Sequence, residues 1–116
     1  GAMLYEAIAA ADEAKAQGVE CEIIDLRTLW PIDIDTVIAS VKKTGRVVVV
    51  HEAPKTCGFG AEIAAMVAEE GFEYLVSPIR RLGSLDVPVP FSPKLEDYVL
   101  PNEQKIVKEV MEMVGA

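Results

Sequence analysis

Four consecutive valines, Val47 to Val50, constrain this chain more than any other feature. β-Branched side chains favour extended backbone, and a run that is apolar at every position has to be covered on both faces. Such a strand belongs at the centre of a parallel sheet. The flanking segments fit that placement. Leu4, Ala7, Ile8, Ala11 and Ala14 recur at helical spacing, with Gly18 as the stop. Cys21–Leu26 reads as a short, mostly apolar strand. Asp33 is placed to cap a helix whose stripe is Ile34, Val37, Ile38 and Val41, with Lys42 and Lys43 in its last turn before Gly45. A third helix is expected from about Ala61 to Glu70, closed by Gly71 and followed by a strand over Phe72–Ser77. Asn102 heads a final helix with Ile106, Val107, Val110, Met111 and Val114 as its stripe. Alternating helices and strands make the class α/β with a mostly parallel sheet.

Two features break the alternation. The chain opens on a helix, so a strand is expected upstream and the chain is read as a fragment. Later, five of the seven prolines fall between Pro78 and Pro101, which excludes helix and central strand there. A run of about 20 residues without regular structure is uncommon in a compact domain, and covering a partner surface is its expected role.

Length and charge narrow the partners. Residues 1–116 suit one domain with an ordinary core. A formal charge of −8, with no basic cluster, argues against nucleic acid and anionic membranes. No apolar run approaches the ~20 residues that span a bilayer, so no membrane is expected. Cys21 and Cys57 match no metal or redox spacing, and a lone histidine rules out sites that need two imidazoles.

Ligands of open parallel sheets gather at the carboxyl ends of strands. Those ends are expected at Asp25–Arg27, at His51 and Glu52, and at Arg80 and Arg81. His51 beside Glu52 is the one conceivable acid–base pair. Neighbours in a strand point in different directions, so a structural or interface role is expected for both. The turn carrying Gly58 and Gly60 ahead of a helix could present N–H groups to an anion. It lacks the third glycine of the dinucleotide fingerprint and the lysine of a P-loop. The competing reading is a tight turn in which Gly60 permits close packing. Cys57 would be a nucleophile only with His51 as its base. Arg80 and Arg81 suit carboxylate clamps at an interface. No catalytic, cofactor-binding or metal-binding set is legible.

The motifs in order are Asp25-Leu26-Arg27-Thr28-Leu29-Trp30-Pro31-Ile32-Asp33, then Val50-His51-Glu52-Ala53, then Gly58-Phe59-Gly60-Ala61-Glu62-Ile63. Pro78-Ile79-Arg80-Arg81 and Asp86-Val87-Pro88-Val89-Pro90 follow. Together they resemble the C-terminal, transketolase C-terminal-like domain of the β subunit of thiamine-diphosphate-dependent 2-oxo acid dehydrogenases. The resemblance covers essentially the whole chain. It implies a three-layer α/β/α fold that here lacks its first strand or strands. In that family the absent strand lies between Cys21–Leu26 and Val47–His51. A chain without it is expected to rearrange, swap or pair with another copy.

The resemblance also implies a role in assembly. The family's α and β subunits decarboxylate a 2-oxo acid on thiamine diphosphate with Mg2+ and pass the acyl group to the lipoyl arm of an acyltransferase core. The cofactor belongs between the α subunit and the other domain of β, so none is expected in this chain. The expected partners are an α subunit, a second β subunit and the acyltransferase core. The expected location is the cytoplasm, or the mitochondrial matrix in a eukaryote. Arg80, Arg81, Asp86, Val76, His51 and Glu52 are the interface and docking candidates. Val76 departs from the family, which often carries an acid there to grip a basic residue of the acyltransferase. Substrate choice leans slightly to branched-chain members, from His51-Glu52-Ala53 and Thr56-Cys57-Gly58-Phe59-Gly60. The rival readings are the same domain of transketolase or deoxyxylulose-phosphate synthase, and a stand-alone protein- or anion-binding module.

Overall fold

Alternation along β1 (Val48–Pro54) sorts the molecule into layers. A computed structural model describes residues 2–26, 32–54, 59–84 and 101–115. Val48 and Val50 pack against a cluster built on Ala10, Ala14, Ile106 and Val110. Val47 and Val49 pack against a second cluster built on Val37, Val41, Ile63 and Val67. Successive side chains of a strand leave on opposite faces, so one run of valines serves both cores. The first cluster joins α1 (Ala2–Ala16) to α4 (Glu103–Met113), and the second joins α2 (Ile34–Thr44) to α3 (Phe59–Gly71). Helices therefore lie on both faces of the sheet, the α/β/α arrangement that the resemblance implies.

Local chemistry fixes the helix ends. The Asp33 carboxylate accepts from the Thr36 backbone N–H at 3.1 Å and from the Thr36 hydroxyl at 2.5 Å. These two bonds, the hydroxyl one first, hold its carboxyl below the usual carboxylate range. At the other end of α2, Gly45 takes a left-handed φ of 74° and returns its N–H to the Val41 carbonyl. Asn102 caps α4 by accepting from the Lys105 N–H at 2.9 Å. A second α4 donor, the Glu103 N–H, reaches across the fold to the Glu6 carboxylate of α1 at 2.8 Å. Helix starts leave N–H groups without intrahelical partners, and here a carboxylate 97 residues away supplies one.

The sheet departs from expectation. Among the described residues it has two parallel strands, β1 and β2 (Arg80–Ser84). Phe72–Ser77 is not a strand: Phe72–Tyr74 forms a 3-10 turn, and the chain joins β1 only afterwards, through Arg80. The Val76 N–H bonds to the Gly45 carbonyl and the Arg80 N–H to the Val47 carbonyl, so pairing with the approach to β1 decides where the strand starts. Cys21–Leu26 runs alongside with no ladder of its own. A strand exists only through its neighbour, and none lies beside this segment among the described residues. The valines of β1, expected to be covered, are each half-buried for the same reason.

Gly60, in the first turn of α3, is buried against β1. A Cβ there would stand 2.6 Å from His51 Nε2 and 3.1 Å from a Val49 methyl. That close approach seats α3 on the strand.

Three outcomes follow from these contacts. Gly60→Ala forces His51 or α3 to move and should destabilise the chain by about 1–2 kcal/mol in urea unfolding; a gain in stability would show that the His51 ring yields freely. Glu6→Ala should cost ~1 kcal/mol by removing the acceptor for Glu103, with Glu6→Gln losing less. The depressed Asp33 carboxyl contributes stability that is full above its unfolded range and lost as pH falls through the folded one. Asp33→Asn should flatten that acid limb of the stability profile.

Candidate functional site

The two elements that meet along β1 and β2 collect most of the interface candidates. His51 lies within β1 rather than at its carboxyl end, because the strand continues to Pro54. The register slips between Val50 and Pro54, where four steps along β1 match two along β2 between Leu82 and Ser84. Such a bulge bends a strand and re-aims its side chains. His51 falls inside it, with its ring laid against Gly60 of α3. Glu52 follows it in β1. Of the turn offered for an anion, Gly58 lies outside the described residues, as does Cys57. Gly60 belongs to α3 itself and is buried beneath the His51 ring.

Arg80 and Arg81 were expected at the carboxyl end of a strand and instead open β2 at its amino end. The displaced strand start described above is the cause. Arg80 is a clamp, directed at its own chain. Its Nη1 meets Glu109 Oε2 at 2.9 Å and Glu112 Oε2 at 3.2 Å. The bond to Glu109, the larger effect, and the bond to Glu112 push the guanidinium further towards its charged form. Glu109 and Glu112 stand three residues apart on α4 and so share one helix face. That spacing was readable beforehand; its partner was not. Asp86 lies outside the described residues.

Val76 sits on the bend between the 3-10 turn and β2, 66% exposed, and Phe72 is 74% exposed in the turn itself. Two exposed apolar side chains this close together, with Glu73 beside them in the turn, suit a protein contact. The Cys21 thiol is raised above its usual range by burial, which keeps it protonated and poorly nucleophilic at neutral pH.

A cleft of about 1060 Å3 runs between Cys21–Leu26 and β1. Leu4 and Ala11 of α1 wall it on one face, and Val37, Val41 and Ile63 of α2 and α3 wall it on the other. It stands where the absent strand was expected. The gap is not closed by rearrangement within the chain. Glu22 is held to Lys43 of α2 by an ion pair at 2.5 Å, and Ile24 and Leu26 pack on the α2–α3 cluster, so the far wall keeps its distance from β1.

Comparison with known proteins accounts for this architecture. The family model described as "Transketolase, C-terminal domain" matches residues 1–106. The chain is 56% identical over 90 residues to the 2-oxoisovalerate dehydrogenase subunit beta of Pseudomonas aeruginosa, covering 78% of this chain and 25% of that protein. It is 47% identical over 109 residues to the pyruvate dehydrogenase E1 component subunit beta of Staphylococcus epidermidis, covering 94% of this chain and 33% of that one. It is 41% identical over 115 residues to the acetoin:2,6-dichlorophenolindophenol oxidoreductase subunit beta of Bacillus subtilis, covering 99% and 34%. The chain thus spans between a quarter and about a third of the length of these relatives. It belongs to the transketolase C-terminal domain family, in the form carried by the β subunits of 2-oxo acid dehydrogenases.

Proposed function

We propose that this chain is the subunit-assembly and acyltransferase-docking domain of a 2-oxo acid dehydrogenase β subunit. With an α subunit and a second β subunit, the whole enzyme decarboxylates a 2-oxo acid on thiamine diphosphate with Mg2+. It then acylates the lipoyl groups of an acyltransferase core. The observation that carries this reading is the identity to the β subunits of two 2-oxo acid dehydrogenases and of an acetoin oxidoreductase, at 41% or more over most of the chain. Among the described residues no group of three His, Cys, Asp or Glu side chains gathers as a metal-ion site. No chemical step is assigned to them. Their contribution is shape: a rigid three-layer body that presents the Phe72–Val76 turn to a partner.

The branched-chain preference is supported by the 56% identity to the 2-oxoisovalerate enzyme, against 47% to the pyruvate enzyme, although over the shorter of the two matches. Docking at Val76 differs from an acid-based grip. A valine there forms no charge-assisted bond to a basic residue of the acyltransferase, so the grip at this position is weaker than an acid would give.

Two measurements test the proposal in the intact enzyme. Purified with its α subunit, the β subunit containing this chain should oxidise 2-oxoisovalerate at least about tenfold more efficiently than pyruvate, a difference of ~1.4 kcal/mol in transition-state binding; the reverse order would discard the branched-chain reading. Val76→Asp should tighten binding of the acyltransferase's subunit-binding domain in calorimetry, and an unchanged affinity would remove position 76 from the docking surface.

A further inference from the structure

The segment from Gly71 to Val76 lies along one face of α2 and meets it at three successive points. Gly71 is buried there: a Cβ on it would stand 3.1 Å from Ile38 Cδ1 and 3.5 Å from a Val41 methyl carbon. Tyr74 receives the Lys42 ammonium 5.7 Å from its ring centre. Val76 meets Gly45. Its N–H donates to the Gly45 carbonyl at 2.9 Å, and a Cβ on Gly45 would stand 3.1 Å and 3.4 Å from its two methyl carbons. Ile38, Val41, Lys42 and Gly45 are spaced i, i+3, i+4 and i+7, so they share a helix face. Tyr74 and Leu75 pack inwards on the α2–α3 cluster, which leaves Phe72 and Val76 exposed.

We propose that Gly45 is a positioning residue for acyltransferase binding, which sets the pose of Val76 without touching the partner. The inference rests on the docking role proposed above for the Phe72–Val76 turn. Two properties of Gly45 act together. Its left-handed φ of 74° ends α2, and its carbonyl, like others at a helix end, has no donor within the helix. The Val76 N–H supplies that donor. The point at which α2 stops therefore decides where Val76 stands. Packing leaves no slack at this contact. A Cβ at 3.1 Å from a methyl carbon forces the methyl to give way, so a larger residue at 45 pushes Val76 outwards or lifts the turn. A turn held in its bound pose spares the partner the cost of ordering it on contact. Gly18 is a matched control within the same chain. It is left-handed too, at φ 89°, but a Cβ on it would meet nothing within 4 Å.

The experiment is calorimetry of the intact α–β enzyme with the acyltransferase's subunit-binding domain. Gly45→Ala should weaken binding at least about threefold. Gly18→Ala, which carries the same backbone strain, should leave it unchanged. Gly45→Asn bears the same Cβ on a residue that accepts left-handed backbone, so it keeps the fold and should lose as much affinity. The loss caused by Gly45→Ala should vanish when Val76→Ala is introduced as well, because the methyls that a Cβ presses on are then gone. Amide exchange at Val76 should quicken in the Gly45 variants alone. Equal losses from Gly45→Ala and Gly18→Ala would overturn the inference, since backbone strain would then explain both. So would a Gly45→Ala loss that persists beside Val76→Ala. An affinity that responds to Val76→Asp but to neither Gly45 variant would leave the docking turn standing and remove Gly45 from its support. An affinity indifferent to Val76→Asp and to Gly45→Ala alike would overturn the docking reading, and this inference with it.

Discussion

Everything in this fold is hung on a strand with four obligations. β1 has two faces and two edges, and each valine from Val47 to Val50 answers to one face and one edge at once. The faces are met by two separate apolar clusters, which share no residue and meet across the sheet. One edge is met by β2. Along the other edge, among the described residues, a cleft separates β1 from Cys21–Leu26 and no ladder joins them.

The two cores are held by different chemistry. Around α2 and α3 the contacts are short in sequence and governed by caps: Asp33 with Thr36, Gly45 with Val41, Gly60 beneath His51. Around α1 and α4 the ties are long-range and charged. Glu6 meets the start of α4, and Arg80 meets its last turns through Glu109 and Glu112. α4 is thus gripped at both ends by ionised groups from elsewhere, with Ile106 and Val110 buried between them. Individually such part-buried contacts are worth on the order of 1 kcal/mol or less; together they fix which way the helix points.

The helices were legible because their signals are local. Asp33 and Asn102 announce their own caps, Gly45 its own turn, and the apolar stripes of α2 and α4 repeat at helical spacing. The strands were less so. Cys21–Leu26 has strand composition and no partner. Arg80–Ser84 begins with two arginines and contains a glycine, poor strand formers that are made a strand by pairing with β1. The apolar stripe of α1 was readable too, but its two halves do different things. Ala14 is buried against α4's cluster, while Leu4, Ala7 and Ala11 line the cleft. For the candidate site, the order of motifs was enough to place the family. The tie of Arg80 to α4 was not, since it depends on a contact between residues about thirty positions apart.

The contact between Glu6 and Glu103 bears on the order in which the chain can fold. It joins residues 97 positions apart, and the whole α1–α4 core depends on that meeting. Closing so long a loop delays a contact until the intervening chain has collapsed. The α2–α3–β1 half can assemble from neighbouring segments, whereas the core that α1 shares with β1 stays incomplete until α4 has been made. Through that interval the part of the α1 face that α4 covers, around Ala10 and Ala14, is shielded by β1 alone.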